Sequence, residues 1–133
     1  MSGGTGDDVL WGGRDGDTLD GGAGVDRLSG GAGADTFVLR RGGSADIVAD
    51  FGPGLDRIAI DSDVPGWREG RPLPDALWSV GRAEETGGQF VLVDGGTQRT
   101  LYWDANGAGA GGREALAAFE HDAAVRASDL VLA

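Results

Sequence analysis

A nine-residue repeat runs without a gap through residues 3–38, and it constrains the fold of this chain more than any other feature. The four copies read GGTGDDVLW, GGRDGDTLD, GGAGVDRLS and GGAGADTFV. Positions one and two are always glycine. Position six is always aspartate and position eight is always large and apolar: Asp8, Asp17, Asp26 and Asp35, then Leu10, Leu19, Leu28 and Phe37. A fixed register of this kind predicts a solenoid, in which each repeat is one unit stacked on its neighbours.

Each repeat divides into a turn and a short strand. Glycine at fixed places allows positive φ, so positions one to six form a tight turn with inward carbonyls. Asp15 replaces glycine at position four of the second repeat, and aspartate is one of the few residues that reach the left-handed region. In positions seven to nine only position eight points inward, because side chains alternate along a strand; Trp11 and Val38 are apolar exceptions among the outward residues. Two repeats then make one coil turn, which predicts an all-β fold, a parallel β-roll.

Such a roll has a thin core and stacks aspartate above aspartate, which is repulsive. Carbonyl and carboxylate oxygens with no amine nearby form a set of hard ligands, and calcium accepts six to eight oxygens in a flexible geometry. We therefore predict that calcium neutralises the aspartates and cross-links the loops. A disordered, glycine-rich linker is the alternative. The locked register argues against that alternative in the presence of calcium, and without calcium we expect this segment to be disordered.

The four nonapeptides resemble the GGxGxDxUx repeats of the RTX (repeats-in-toxin, hemolysin-type) calcium-binding proteins. The resemblance implies ions between loops two repeats apart. One loop gives the carbonyls of positions two and four and its aspartate; the other gives the carbonyls of positions one and three and its aspartate. Carried onto this sequence, it implies a first site of Gly4, Gly6, Asp8, Gly21, Ala23 and Asp26, and a second of Gly13, Asp15, Asp17, Gly30, Ala32 and Asp35. It also makes ligands of Gly22, Gly24, Gly31 and Gly33, for a total of about three to four calcium ions.

Two degenerate repeats carry the register to residue 59. After a two-residue slip, RGGSADIVA (41–49) places Asp46 at position six; after one inserted residue, FGPGLDRIA (51–59) places Asp56 there. We expect both to complete ion sites with the third and fourth loops, and Asp50 to be a further candidate ligand. This stretch resembles the roll-to-cap junction of secreted bacterial metalloproteases and alginate epimerases. The expected domains are a β-roll at 3–59, with clear repeats at 3–38 and degenerate ones at 41–59, and a capping region at 60–133.

The capping region is expected to be a small antiparallel β-sheet or sandwich that covers the open end of the roll. Residues 61–88 indicate a loop with a short helical turn at 75–78, and residues 89–104 a hairpin around Gly-Gly. A loop follows at 104–112, and REALAAF (113–119) is favoured as strand over helix. SDLVLA (128–133) is expected to be a last strand. Its aspartate and apolar run also resemble the uncleaved C-terminal export signal of type I secretion substrates.

The acidic composition narrows the partners. The chain has 133 residues, with 17 Asp and 5 Glu against 11 Arg, and its net charge is −11. This charge argues against nucleic acid and anionic membranes, and the apolar runs are too short for a membrane span. Cysteine is absent, which excludes disulfides and thiolate metal sites. The first residues do not form a Sec-type signal peptide, so the RTX resemblance implies a secreted, extracellular bacterial protein that type I machinery exports.

The sequence predicts no catalytic site. His121 is the single histidine, and no GxSxG or HExxH motif is present. DANGAG (104–109) begins like an EF-hand loop but has Ala115 at the twelfth position, so a turn is expected. Trp11, Trp67, Trp78 and Trp103 are expected in packing more than in sugar binding. We therefore expect a non-catalytic calcium-binding module, alone or as the C-terminal part of a secreted protease, lipase or epimerase. A polysaccharide-binding module of such an enzyme is the alternative, and lanthanides suit the same oxygens.

Overall fold

The computed structural model describes residues 2–40, 45–52, 55–61, 78–80, 89–94, 98–104, 113–120 and 125–132. These residues form eleven strands and a short 3-10 helix at Ala127–Asp129. The strands are β1 (Val9–Trp11), β2 (Thr18–Asp20), β3 (Arg27–Ser29), β4 (Thr36–Leu39), β5 (Asp46–Val48), β6 (Arg57–Ile60), β7 (Trp78–Val80), β8 (Gln89–Asp94), β9 (Gln98–Asp104), β10 (Arg113–Glu120) and β11 (Leu130–Leu132). The predicted all-β fold is confirmed.

The repeat strands alternate between two sheets, as a roll requires. One sheet has the order β1-β3-β5-β10-β9-β8-β7 and the other the order β11-β6-β4-β2. Val9 pairs in parallel with Arg27, and Thr18 pairs in parallel with Thr36. Both offsets are 18 residues, the length of two nonapeptides. One coil turn of the parallel β-roll therefore contains two repeats, as predicted.

The degenerate repeats keep the predicted register. Leu28 of β3 pairs with Val48 of β5, and Phe37 of β4 pairs with Ile58 of β6. These offsets are 20 and 21 residues, so they contain the two-residue slip and then the one inserted residue. The inward position eight is therefore preserved although most of the glycine pattern is lost.

The core of the roll is a single line of position-eight side chains along each sheet. Five of these side chains are completely buried: Leu19, Leu28, Phe37, Val48 and Ile58. Phe51, 6% exposed, lies beside this line and packs against Phe37 and against Phe119 of β10, with ring centroids 6.2 and 5.4 Å apart. Apolar burial thus connects the roll to the C-terminal strands.

The first strand is an edge strand, and this leaves the Trp11 side chain exposed. Val9 and Trp11 are 77% and 68% exposed, because positions seven and nine face outward and none of the described strands covers β1 on its other side. The expectation that Trp11 packs in a core or seam is therefore wrong. Trp103 is 3% exposed and lies 4.9 Å from Phe90 in an edge-to-face contact, so for Trp103 the expectation is confirmed.

The C-terminal strands extend both sheets of the roll. β8 and β9 form the predicted antiparallel hairpin, and β10, the segment favoured as strand, pairs antiparallel with β9. β10 also pairs in parallel with β5, and β11 pairs in parallel with β6. The capping strands were expected to cover the end of the roll, and they do so by continuing its sheets, because parallel pairing satisfies the open edges of β5 and β6. The predicted domain boundary at 59/60 stays a prediction.

Some sequence-based predictions lie outside the described residues. They are most of the loops at 61–88 and 104–112, the Gly-Gly turn of the hairpin, Trp67, Asn106 and His121. Of the predicted helical turn at 75–78, only Trp78 is described, and it begins β7. Among the described residues, no helix has the length and hydropathy needed to cross a membrane.

Candidate metal centre in the roll loops

The position-six aspartates form two columns, one on each edge of the roll. We call the loops that end at Asp8, Asp26 and Asp46 the odd edge, and those that end at Asp17, Asp35 and Asp56 the even edge. On the odd edge, Asp26 Oδ1 accepts the Asp8 N–H at 2.7 Å, and Asp46 Oδ1 accepts the Asp26 N–H at 3.0 Å. The even edge repeats the pattern at 2.8 and 2.9 Å. One carboxylate oxygen of each later aspartate therefore accepts a hydrogen bond from the preceding coil turn on the same edge.

The second carboxylate oxygen has no partner in four of these aspartates. Oδ2 is buried without a hydrogen-bond partner in Asp8, Asp17, Asp26 and Asp35. Asp26 is 0% exposed and Asp35 is 1% exposed. A buried carboxylate oxygen without a donor or a cation is costly. The four clear repeats therefore each contain one buried, negatively charged oxygen that a cation would satisfy.

Backbone carbonyls converge on the same places. A Cβ added at Gly3 would lie 2.9 Å from Asp8 Oδ2 and 2.8 Å from the Gly21 carbonyl oxygen. One added at Gly12 would meet Asp17 Oδ2 at 2.7 Å and the Gly30 carbonyl oxygen at 2.8 Å. Position one is therefore glycine because the oxygens occupy the space of a side chain. The structure brings together an aspartate of one loop and a position-one carbonyl of the loop two repeats later.

Stacking between the loops fixes the other carbonyls. The Gly4 carbonyl accepts the Ala23 N–H, and the Gly13 carbonyl accepts the Ala32 N–H, each at 2.9 Å. A carbonyl oxygen has a second lone pair and can bind a cation as well. Gly22 has a φ of 82°, and an added Cβ there would overlap the Gly4 carbonyl. Glycine is thus required at position two for both conformation and space.

The remaining predicted ligands of the clear repeats lie in the same stacked loops. They are Gly6 and Gly24 on the odd edge, and Asp15, Gly31 and Gly33 on the even edge. Among the described residues, no group of three or more His, Cys, Asp or Glu side chains forms a metal-binding cluster. The sites implied here take two carboxylates each and draw their other oxygens from the backbone. This donor set, all oxygen and mostly neutral, suits calcium.

Two of the position-six carboxylates, Asp35 and Asp46, have a raised pKa in the folded loops. Burial raises the pKa of Asp46 to about 6, and the charge of Asp26 adds to the rise. Burial also raises the pKa of Asp35, together with the charges of Asp56, Asp17 and Asp50. Both shifts show that the folded loops disfavour the ionised form of these groups. A cation in the loops would remove that penalty.

In two predicted ligands of the degenerate repeats, each carboxylate oxygen accepts at least one hydrogen bond. Asp56 Oδ1 accepts the Asp35 N–H, and its Oδ2 accepts the Gly52 N–H at 2.8 Å. Asp50 is exposed, and both of its oxygens accept hydrogen bonds from the loop that begins at Gly30. The orphaned oxygens that mark Asp26 and Asp35 are therefore not found at these two carboxylates.

Two arginines near the loops form ion pairs that were not predicted from the sequence. Arg40, just after β4, donates to both oxygens of Asp20 at 2.7 Å and lies 3.0 Å from Asp61. This guanidinium holds the pKa of Asp20 below its ordinary value. The 20- and 21-residue spacings between these three residues match the coil offset, so the repeat register contained the signal. Arg27 pairs with Glu120 of β10 through both nitrogens, and no local pattern predicts a partner 93 residues away.

The fold and the loops define the class: this is a parallel β-roll built from calcium-binding nonapeptide repeats. Residues 2–37 match the sequence profile of the RTX calcium-binding nonapeptide repeat in four copies. No curated protein sequence matches the chain. Its structure is similar to the solution structure of the AlgE6R3 subunit from the Azotobacter vinelandii mannuronan C5-epimerase, with a TM-score of 0.57 and 29% sequence identity over 97% of this chain and 79% of that chain. Residues 2–37 are therefore RTX-type calcium-binding nonapeptide repeats, and the chain as a whole has a fold similar to that of the AlgE6R3 subunit.

Proposed function

We propose that calcium binding and folding of this module are one event, which keeps the chain unfolded before export and folds it outside the cell. The observation that carries the proposal is the set of four buried, partnerless Oδ2 atoms in the clear repeats. The folded roll places negative charge where neither water nor a donor reaches it. Without a cation this arrangement opposes folding, and with one it becomes the main cross-link between coil turns.

The proposed sites follow the two columns of aspartates. Each site takes the aspartates of two successive coil turns on one edge, with the carbonyls of the loops between them. The four pairs are Asp8 with Asp26, Asp26 with Asp46, Asp17 with Asp35, and Asp35 with Asp56. Asp26 and Asp35 each belong to two sites, so we expect binding to be cooperative along each edge.

The magnitudes allow calcium to decide whether the module is folded. Extracellular calcium modules bind with dissociation constants of about 10⁻⁴ to 10⁻³ M. Each independent site contributes about 2.7 kcal/mol when calcium is at 100 times its dissociation constant. Three or four such sites together equal a whole domain's stability of about 5 to 15 kcal/mol. In a calcium-poor cytosol the same sites contribute nothing, and the acidic chain stays unfolded.

A calcium titration of metal-stripped protein tests this coupling. We expect circular dichroism to change steeply from a disordered to a β-rich spectrum, and calorimetry to count three to four ions over the same concentration range. Magnesium at equal concentration is the control and should give little β-structure, because it demands near-ideal octahedral geometry and dehydrates reluctantly. A β-rich spectrum that a chelator leaves unchanged would refute the proposal.

Folding also determines whether the C-terminal segment is accessible. Leu130 of β11 is 3% exposed, and Asp129 before it is buried and accepts the Arg126 N–H at 2.9 Å. Two residues of the segment that resembles an export signal are therefore buried in the fold. We propose that type I secretion machinery reads it only while the chain is unfolded. Secretion of the chain from a host with that machinery should fall when the module is made to fold inside the cell, and unchanged secretion would count against this part.

A polysaccharide-binding role is the second candidate. Trp11 is 68% exposed on the outer face of the seven-stranded sheet, and the similar AlgE6R3 subunit comes from a mannuronan C5-epimerase. If a sugar ring stacks on Trp11, this face would bind the polysaccharide on behalf of an upstream catalytic domain. Calorimetric titration with mannuronan or alginate, repeated with Trp11→Ala, tests it. Heat of binding that the substitution abolishes supports the role, and the absence of binding refutes it.

A further inference from the structure

Two carboxylates outside the position-six columns bind the loops from the outer side. Asp20 Oδ1 accepts the N–H of Gly22 at 3.0 Å. Asp50 Oδ2 accepts the N–H of Gly31 at 2.8 Å, and its Oδ1 accepts the N–H of Gly30 at 2.9 Å. Gly22 and Gly31 occupy position two of the third and fourth repeats. The two carboxylates therefore hold equivalent peptide groups, one on each edge of the roll.

The peptide group that each carboxylate holds carries one of the proposed calcium ligands. The N–H of Gly31 and the carbonyl of Gly30 belong to the same planar trans peptide, so they point in opposite directions. When the N–H of Gly31 points outward, the Gly30 carbonyl points inward. There its oxygen lies near Asp17 Oδ2, because a Cβ added at Gly12 would contact both atoms. The peptide between Gly21 and Gly22 has the same relation to Asp20.

The two edges obtain this carboxylate from different places in the chain. On the odd edge, Asp20 is position nine of the preceding repeat and reaches two residues forward. On the even edge, the same position is Ser29, whose hydroxyl donates to Asp50 Oδ2 at 2.8 Å. Asp50 comes from the inserted residue one coil turn later and supplies the carboxylate that Ser29 lacks. The inserted residue in the degenerate repeats thus supplies the hydrogen-bond acceptor for the fourth loop.

We infer that Asp50 and Asp20 are positioning residues, which orient the Gly30 and Gly21 carbonyls for calcium and do not bind the ion themselves. For Asp50 this replaces the direct ligand role expected from the sequence. The inference rests on the proposed function, because it concerns the same sites. It adds two residues, outside the nonapeptide signature, that set the affinity of one site on each edge.

The test compares wild type, Asp50→Ala and the double variant Ser29→Asp/Asp50→Ala in calcium calorimetry. Asp50→Ala should keep the ion count but weaken one site about tenfold, which equals about 1.4 kcal/mol. In NMR spectra of the calcium-loaded protein, the amide protons of Gly30 and Gly31 should lose their downfield shift. The double variant places a carboxylate at position nine, as at Asp20, and should restore most of the affinity. Glu120→Ala is the control, because it removes the same charge from an ion pair with Arg27 outside the loops and should leave the ion count and affinities unchanged.

Three results would overturn the inference. Loss of one whole ion in Asp50→Ala, without rescue by Ser29→Asp, would make Asp50 a direct ligand. Unchanged affinity would deny it any role at the site. An equal loss of stability with and without calcium, at constant affinity, would make it merely structural. If Asp50→Ala does not fold, Asp50→Asn keeps the shape and answers the same questions. Wild type that binds no calcium at all would refute the proposed function, and is seen separately in the first titration.

Discussion

Replacement of Asp26 by asparagine should have opposite effects with and without calcium. Asp26 is completely buried; its Oδ1 accepts the Asp8 N–H, and its Oδ2 has no partner. The asparagine side chain would keep the shape and the acceptor for the Asp8 N–H but remove the negative charge. With calcium, the substitution weakens both sites that share this residue. Without calcium, it removes a buried charge that opposes folding.

The number of shared sites and general binding energetics give the expected size of both effects. A tenfold weakening at each of two sites costs about 2.8 kcal/mol, and complete loss of both at 100 times the dissociation constant costs about 5.4 kcal/mol. We therefore expect Asp26→Asn to lower the calcium-loaded stability by about 3 to 5 kcal/mol, or about 10 to 20 °C in Tm for a chain of this length. Without calcium, replacing the charged Oδ2 by a neutral amide group should stabilise the roll by about 1 to 3 kcal/mol.

The assay is denaturant unfolding by circular dichroism, in saturating calcium and again in chelator with an excluded osmolyte that favours the compact state. Asp61→Asn is the matched control, because it removes the same charge from an exposed ion pair with Arg40 and should cost less than about 1 kcal/mol. An Asp26→Asn variant as stable as wild type in calcium would refute the reasoning. So would a variant that is destabilised equally in both conditions, because the orphaned oxygen would then have no conflict with folding.

Further predictions concern the loops, the core, pH and the surface. Gly21→Ala places a Cβ against Asp26 Oδ2, so calorimetry should show weaker calcium binding, and unchanged affinity would contradict the convergent geometry. Phe51→Ala should lower the free energy of unfolding by about 3 to 5 kcal/mol in denaturant, because this ring packs between the roll and the capping strands. A loss under about 1 kcal/mol would show that the ring does not couple the stability of the two parts. The pKa of Asp46 is raised to about 6. In metal-free buffer the β-signal in circular dichroism should therefore decrease as the pH rises from about 4 through about 6, while calcium affinity should increase over the same range. A β-signal that does not change with pH would contradict the burial of this carboxyl. Arg27→Ala removes an exposed ion pair and should change unfolding by no more than about 1 kcal/mol, and a larger loss would show that the pair does more than a surface contact.

The repeat made the roll predictable because each of its signals is local. Position eight specifies what is buried and position six specifies where the loop ends, and both survive in the degenerate repeats at Val48 and Asp46. The strand pairs bear out the register through the slip and the insertion. Even the Ala-rich β10 was favoured as strand, against its helix propensity, because the surrounding architecture is β.

Contacts that depend on distant pairing were not predictable from local pattern. Nothing in REALAAF shows that it pairs in parallel with β5, or that Glu120 meets Arg27. The positioning role proposed for Asp50 could not be predicted from the sequence. The sequence shows a carboxylate near a calcium loop, but only the folded structure shows that its oxygens face peptide N–H groups. Trp11 was expected to pack because tryptophan usually does, and its exposure follows from the position of β1 at a sheet edge.

The pairing of β10 with β5 and of β11 with β6 has a consequence for timing. Ala117 lies opposite Asp46, and Leu130 lies opposite Ile58, so each contact closes about four times as much chain as one coil turn does. Two doublings of loop length add about 1.2 kcal/mol to the entropic cost of closure. Single coil turns can therefore form and unfold early in folding. The pairs of β10 with β5 and of β11 with β6 form later and stabilise the completed roll. Until β10 and β11 can pair with β5 and β6, the earlier coil turns lack these long-range contacts and their folding stays reversible.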